Sequence, residues 1–474
     1  MPEIRDDRRR DLRREQARTS SEPTQTPAEP SADPWRKKYA YHLGVFADIF
    51  GYPWTFLPWV RWSWVTQPID PKMTPYAALN QWWHCRQLTT AEYRDGGSPN
   101  NDALYSAAWV DMRKEPIILS HAEVPNNRYF CFQCAHMSSD NFAYIGTRAT
   151  GNGVGNFAIR QASQENIKLP RDVQVIESCP TAFALILART YVEGEADYPN
   201  VHAIQDSFKL TPLSLWGQKE PYVVEDRDVW EPYHVTDPAD PLGKWKTMNR
   251  AMTENPPIAQ HDLIMKTLAD IGIGVDQDIN ALDEDTKAGL AQALPDGEAL
   301  LDLMVAQGGK GKKVNGWTYP PLTFGRAGLY DDFVTRGSFQ CRGGMIAHEP
   351  IENVYINTTT DKDGKVLDSN NKYTLHFAPD NYPETKAFWS VTMYDMTYNL
   401  VANDANIYSV GSTKKLFKDP DGGLTIHLQR EDPGADKQWL PTPPEGEFFL
   451  ILRDYYPGEA LVDQSWVPPG IEPA

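Results

Sequence analysis

Tyr129-Phe130-Cys131-Phe132 is a four-residue apolar run set between turn-forming residues, and it is one of a series. Pro116-Ile117-Ile118-Leu119 precedes it and Val173-Gln174-Val175-Ile176 follows it, again with turn residues between. Runs this short, bounded in this way, predict strands, and their spacing predicts an antiparallel β-sandwich over the segment up to Leu213. Thr150-Gly151-Asn152-Gly153-Val154-Gly155-Asn156 is glycine-rich but has no lysine and no helix after it, so it reads as a hairpin or sandwich-end loop, not a phosphate loop.

Upstream, Trp35 to Ile49 has helical spacing. From Phe50 to Trp64 come seven aromatic residues interrupted by Pro53 and Pro58, which predicts a helix end followed by an extended turn. So much aromatic area fits a clamp on the core, or a wall or lid over a pocket or subunit contact. Downstream of Leu213 the pattern becomes helical, with Asp262 to Ala269 and Asp285 to Ala293 as clear segments of an insert of several short helices. Strands return at Tyr373–Phe377, Phe388–Tyr394, Leu424–Leu428 and Phe448–Leu452, predicting a second sandwich. The expected division is a disordered tail over 1–34, a helix and first sandwich over 35–213, a linker and helical insert over 214–335, and a second sandwich over 336–474. The fold class expected is mainly β.

The 474 residues include 15 Trp, 22 Tyr and 17 Phe, enough for a large core, and the formal net charge is -18. That balance argues against nucleic acid or an anionic membrane as partner, since both need a basic face. Met1 to Asp33 is charged and lacks the apolar stretch of a signal peptide, and no window is long and apolar enough to span a bilayer. The expectation is a cytoplasmic protein with a small-molecule substrate that forms a homo-oligomer, with the aromatic segment as a candidate subunit contact. The five cysteines are too few and too scattered for a disulfide framework. Cys131 and Cys134, with His136 nearby, resemble a metal motif, but there is no second ligand pair, and in a strand the two thiols face opposite sides. No metal and no cofactor are expected.

Chemistry concentrates in Pro99-Asn100-Asn101-Asp102-Ala103-Leu104-Tyr105-Ser106, which crowds two amides, a carboxylate, a phenol and a hydroxyl into eight residues. Asn141-Phe142-Ala143-Tyr144-Ile145-Gly146-Thr147-Arg148 adds another polar set. There is no nucleophile elbow and no dinucleotide fingerprint. What remains is acid–base and hydrogen-bonding chemistry. Asp102 is the candidate base, Tyr105 and Tyr144 the candidate donors to a developing oxyanion or leaving hydroxyl, and His84 the nearest histidine. Asn101 and Arg148 are candidate substrate contacts, with Trp389, Tyr394 and Asn403 facing them if the two halves share a cleft. The same residue types also fix turns and lock strands together.

These motifs, in this order, resemble a bacterial and fungal family made of domain of unknown function 1254 followed by domain of unknown function 1214. The likeness runs from Gly51-Tyr52-Pro53 through Asn80, His84 and Arg86, the two polar sets above, Gln205-Asp206 and Thr211-Pro212-Leu213. It continues through Met248-Asn249, Asn255-Pro256-Pro257, Ala387 to Asp395, Asn403, and Asp432-Pro433-Gly434. The resemblance implies two jelly-roll-like antiparallel sandwiches joined by helices. The chain departs from the pattern at Ala103, where the family usually has Thr, and at Ile407, where it usually has Arg. Losing that guanidinium removes a fork for an anionic group. The expected function is a cofactor-independent lyase (a hydratase or dehydratase) or a hydrolase, acting on a small, partly apolar, hydroxylated molecule. The alternative is a non-catalytic carbohydrate- or ligand-binding protein.

Overall fold

The computed structural model describes residues 34–94, 97–218 and 225–474. The tail expected over 1–34 lies outside them except for Pro34, which opens the first helix. The described chain is mainly β, with several largely antiparallel sheets and a set of helices.

The apolar runs become strands. β1 (Ala103–Asp111), β2 (Phe130–His136), β3 (Asn141–Gly146) and β4 (Phe183–Tyr191) form a first large sheet in the order β1-β4-β2-β3, with Trp83–His84 paired outside β1. Alternation along the strands sorts the side chains onto two faces. Ala184, Ile186 and Ala188 of β4 join Val110, Phe132 and Cys134 in one core, while Phe183, Leu185 and Leu187 point the other way. A smaller sheet containing Ile117–His121, Gly155–Ile159 and Lys209–Pro212 supplies Leu119, Phe157 and Leu210 to the same core.

The C-terminal half repeats this arrangement. β5 (Asn353–Thr358), β6 (Thr385–Asp395), β7 (Ser409–Gly411) and β8 (Phe448–Pro457) lie in the order β5-β8-β6-β7, extended beyond β5 by Trp317–Tyr319 and Lys312–Val314. Those two added strands lie upstream of residue 336, so this sheet draws on the segment expected to be insert. A four-stranded sheet containing Tyr373–Phe377 and Leu424–Gln429 shares one core with it, built on Val354, Val391, Leu450, Leu375 and Ile426. Two edge pairings are parallel, Phe157 with Gln174 and Ile426 with Gln438, so neither half is wholly antiparallel.

The aromatic segment differs from expectation. α1 (Pro34–Gly51) is followed at once by α2 (Pro53–Thr66), a helix where an extended turn was predicted. Pro53 falls in its first turn, where a missing N–H costs nothing. Pro58 loses one hydrogen bond, but ten of the fourteen residues are buried, and tertiary packing outweighs that loss. Leu57, Val60 and Trp64 cover the outer face of the first large sheet at Ala107, Trp109 and Leu185. Trp54 turns to the other side and donates its indole N–H to the Asn255 carbonyl at 2.8 Å, among Trp245 and Met248.

The insert is not only short helices: α3 (Gly243–Glu254) is followed by α4 (Glu284–Ala306), 23 residues long. α1 and α4 pack side by side, with Tyr41 donating to Asp296 at 2.8 Å. Gly289 lies against the Lys37 carbonyl, where a Cβ has no room. Among the described residues no helix is long and apolar enough to cross a membrane. All five cysteines are free and buried, and Cys131 and Cys134 point into different clusters on opposite faces of β2.

Candidate functional site

α2 covers only part of the first large sheet's outer face. The rest meets the outer face of the second large sheet, and there the side chains are polar and aromatic. β1 contributes Tyr105, β2 Cys131 and Gln133, and β4 Arg189; opposite stand Tyr355 of β5, Ser390 and Tyr394 of β6, and Arg453 and Tyr455 of β8. Ring contacts cross the seam, with Tyr129 5.4 Å from Tyr455 and 5.8 Å from Phe388.

The polar stretch leading into β1 is largely structural. The Asn100 side-chain oxygen accepts from the backbone N–H of Asp102 and of Ala103, each at 3.2 Å, which fixes the turn into the strand. Its amide donates to the Tyr455 hydroxyl at 2.7 Å, and Asn101 donates to the Thr89 carbonyl at 2.7 Å. Asp102 is 2% exposed. Its two oxygens accept from Ser390 at 2.7 Å and Ser409 at 3.3 Å, both in the other half of the chain. Asp102 thus ties the two sheets together, each of its oxygens holding one serine hydroxyl.

A second tie is ionic. Glu352, 1% exposed, accepts from the Tyr129 hydroxyl at 2.7 Å and pairs with the Arg148 Nε–H. Arg148 lies over the Tyr144 ring, 5.2 Å from its centroid. The Tyr144 hydroxyl accepts from the Asn141 amide at 2.8 Å and the Glu349 backbone N–H at 2.9 Å. Burial, reinforced by the Glu349 charge, holds Tyr144 well above the ordinary phenol range. Tyr144 and Arg148 thus come together as expected, but as a buttress.

Between these ties the chemistry is different. Arg189 donates one Nη to the Gln133 side-chain oxygen at 2.8 Å and to His348 Nε2 at 2.9 Å. An arginine only donates, so His348 Nε2 must be the accepting nitrogen and its proton is on Nδ1. Burial, then the neighbouring Arg189 and Arg148 charges, keep His348 neutral, well below its usual range. His348 Nδ1 lies 3.2 Å from the Tyr355 oxygen and donates to it, which leaves the Tyr355 hydroxyl proton free to point elsewhere. Burial raises Tyr355 from its ordinary value, so the phenol stays protonated. Arg453 lies 5.9 Å from the Tyr355 ring centre and donates to Tyr394 and to the Ser98 carbonyl, both at 2.7 Å. Arg189 lies 5.4 Å from the Tyr105 ring centre. Tyr105 and Tyr355 are only partly buried, so each keeps open surface at the seam. On the α2 side Tyr105 belongs to a group of half-buried apolar residues, Phe56, Trp59, Met73 and Met345.

The remaining expected residues lie elsewhere. His84 Nδ1 is 2.8 Å from Ser106 Oγ, which accepts from the Gln205 amide at 3.2 Å. Burial, then Arg86, lower His84 to about 4, against the pull of Asp206. Ser106 is wholly buried and faces away from Tyr105, because adjacent residues of a strand take opposite sides. Trp389 points into the second core beside Phe377, 5.2 Å away, and Ile407 packs on that core. Asn403 fixes its own loop through Val401 and Ile407. Of the expected residues, the seam brings together Tyr105, Tyr394 and Asp102, with Tyr144 and Arg148 behind. Sequence reasoning missed Arg189, His348, Tyr355 and Arg453. The signal was available for two of them: an arginine that follows an apolar strand run, as Arg189 follows Phe183–Ala188 and Arg453 follows Phe448–Leu452, is seldom buried without a reason.

A cleft of about 560 Å³ opens on the helical side, lined by Trp230, Tyr233, Arg250 and Arg61, away from this seam. Volume favours it, but chemistry does not. Arg61 is paired with Glu254, Arg113 with Asp111 and Lys246 with Asp240, so three of its cations are already answered.

Residues 79–212 match the family model of a protein of unknown function, DUF1254, and residues 352–459 match another, DUF1214. No curated protein matches the chain. Among solved structures it is similar to the VPA0106 protein from Vibrio parahaemolyticus, at 20% identity and a TM-score of 0.68, covering 92% of this chain and 100% of that one. A putative uncharacterized protein from Burkholderia cenocepacia aligns at 12% identity and a TM-score of 0.44, over 94% of this chain and 95% of that one. The Vibrio likeness shows the fold alone. By both matched regions, in this order, the chain belongs to the two-part family in which domain of unknown function 1254 precedes domain of unknown function 1214.

Proposed function

We propose that the protein is a cofactor-independent acid–base enzyme, a hydro-lyase or hydrolase, whose substrate enters the seam between the two large sheets. The observation that carries this reading is the His348–Tyr355 pair: a buried neutral imidazole donates to a phenol and so leaves the phenol's own proton free for a ligand. That is the arrangement of a positioned general acid. In a dehydration, the substrate's C–H and C–O bonds break and a C=C bond forms. Tyr355 gives its proton to the departing hydroxyl, which leaves as water, and the proton from carbon restores the phenol. Tyr105 supplies a second phenol, and Phe56, Trp59 and Met345 give an apolar wall for the rest of the molecule. The binding-only alternative is favoured by one observation: both nearby carboxylates, Asp102 and Glu352, are already engaged. We also read each large sheet and its smaller partner as one jelly-roll-like sandwich, supported by the single core that each pair shares.

The test is conversion of a panel of hydroxy acids and their unsaturated counterparts, followed by proton NMR in D2O. The wild type is expected to convert at least one member. Tyr355→Phe is expected to keep its fold and lower that rate by about two to four orders of magnitude. A wild type that binds members of the panel but converts none leaves the binding-only alternative standing.

A further inference from the structure

We infer that Arg189 and Arg453 together form a cradle for an oxyanion, a carboxylate or phosphate group carried by the seam's ligand. This rests on the seam being the binding site and deepens that reading by naming the ligand's charged end. Arg189 is 6% exposed and Arg453 4% exposed. Neither has a carboxylate within 4.0 Å among the described residues; their partners are neutral amide, imidazole, phenol and carbonyl groups. Burying a guanidinium without a counter-charge is costly, and two of them share one seam, both against Tyr355 and Tyr455.

Other buried arginines show what a structural solution looks like. Arg61 has Glu254, and Arg148 has Glu352. Arg336 has no ion pair among the described residues but lies among the rings of Phe50, Trp54 and Phe333, about 5 Å from each, with its uncommitted nitrogens sealed from solvent. The uncommitted nitrogens of Arg189, Nε and the second Nη, and the Nε of Arg453 are not sealed. Arg189 lies beside the Tyr105 ring and Arg453 beside the Tyr355 ring, and both tyrosines are themselves only partly buried. A forked donor with open N–H groups in a desolvated setting matches a carboxylate or phosphate. The chain as a whole is strongly acidic, with a net charge of -18, so this positive spot is local. The apolar wall beside it suits a ligand with one anionic end and an aromatic or aliphatic body.

The experiment is calorimetric titration of the full chain with benzoate and, separately, with inorganic phosphate, alongside thermal unfolding with and without each. The expected result is saturable binding of one of them with a matching rise in Tm; which one distinguishes a carboxylate from a phosphate. Arg189→Gln and Arg453→Gln are expected to weaken that binding by about tenfold or more. Without ligand each should unfold at or above the wild-type Tm, because an unanswered charge has been removed. Arg189→Lys keeps the charge but not the fork, so it should fold normally and still bind poorly. Absence of saturable binding to either probe overturns the proposal, as does a Tm loss in both Gln variants with binding unchanged. Binding without turnover of any hydroxy acid retains the cradle and removes the enzymatic reading.

Discussion

Two patches of one seam treat charge in opposite ways. Around Glu352 every charge is met: the carboxylate takes a phenol proton donor and a guanidinium, and that guanidinium covers a tyrosine ring. Around Arg189 and Arg453 two cations are met only by neutral groups. The first patch has the properties of a fastening. The second carries a stability cost that a fastening does not need, and it leaves N–H groups open. Two large sheets can be joined by the first kind of contact alone, and the second is the contact that the proposed ligand accounts for.

The comparison breaks most easily at Glu352. Glu352→Ala leaves the Arg148 charge and the Tyr129 hydroxyl without a partner, and the expected loss is about 3–5 kcal/mol in urea unfolding. An unchanged midpoint would mean that this patch fastens nothing. Asp102→Ala removes a carboxylate that accepts from two serines, with an expected loss of about 2 kcal/mol. Asp102→Asn, which keeps the shape, should leave turnover near wild type. A hundredfold fall in rate at full folding would return Asp102 to the role of base.

The open patch has a pH signature. His348 binds a proton far less readily in the folded chain than its ordinary value of 6.5 implies, because of burial and then Arg189 and Arg148. Its contribution to stability is therefore full above pH 6.5 and is lost as pH falls, since the unfolded chain takes up a proton that the folded chain refuses. His348→Gln should flatten the fall in stability between pH 6.5 and 4.5, by at most about 1.4 kcal/mol per pH unit. Parallel profiles for the two proteins would show that His348 is not held neutral.

Much of the fold was legible because short apolar runs between turn residues leave few alternatives. Tyr373–Phe377 is a strand with the expected limits, and the longer strands contain the runs read for them. α2 was misread because Pro53 and Pro58 were weighed as breakers, whereas burial of ten residues on a sheet face decides its structure. The candidate site was only partly legible. The run Asn100 to Tyr105 does lie at the seam, but the partners of its carboxylate and amides were hidden, since local crowding of polar groups does not say what they face. His348 and Tyr355 lie far from that run in sequence, and only the pairing of β5 with β8 and the contact between the two large sheets bring them to it. Trp389 and Tyr394 lie on one strand, yet an odd spacing sends the first into the core and the second to the seam.

A crystal structure of the full chain soaked with benzoate tests the central claim most directly, because it sets the seam against the helical-side cleft. The account predicts density in the seam, with the carboxylate about 3 Å from nitrogens of Arg189 and Arg453 and the ring toward Phe56 and Trp59. Benzoate in the cleft beside Trp230 and Arg250, with the space around Tyr105 and Tyr355 holding only water, would contradict it.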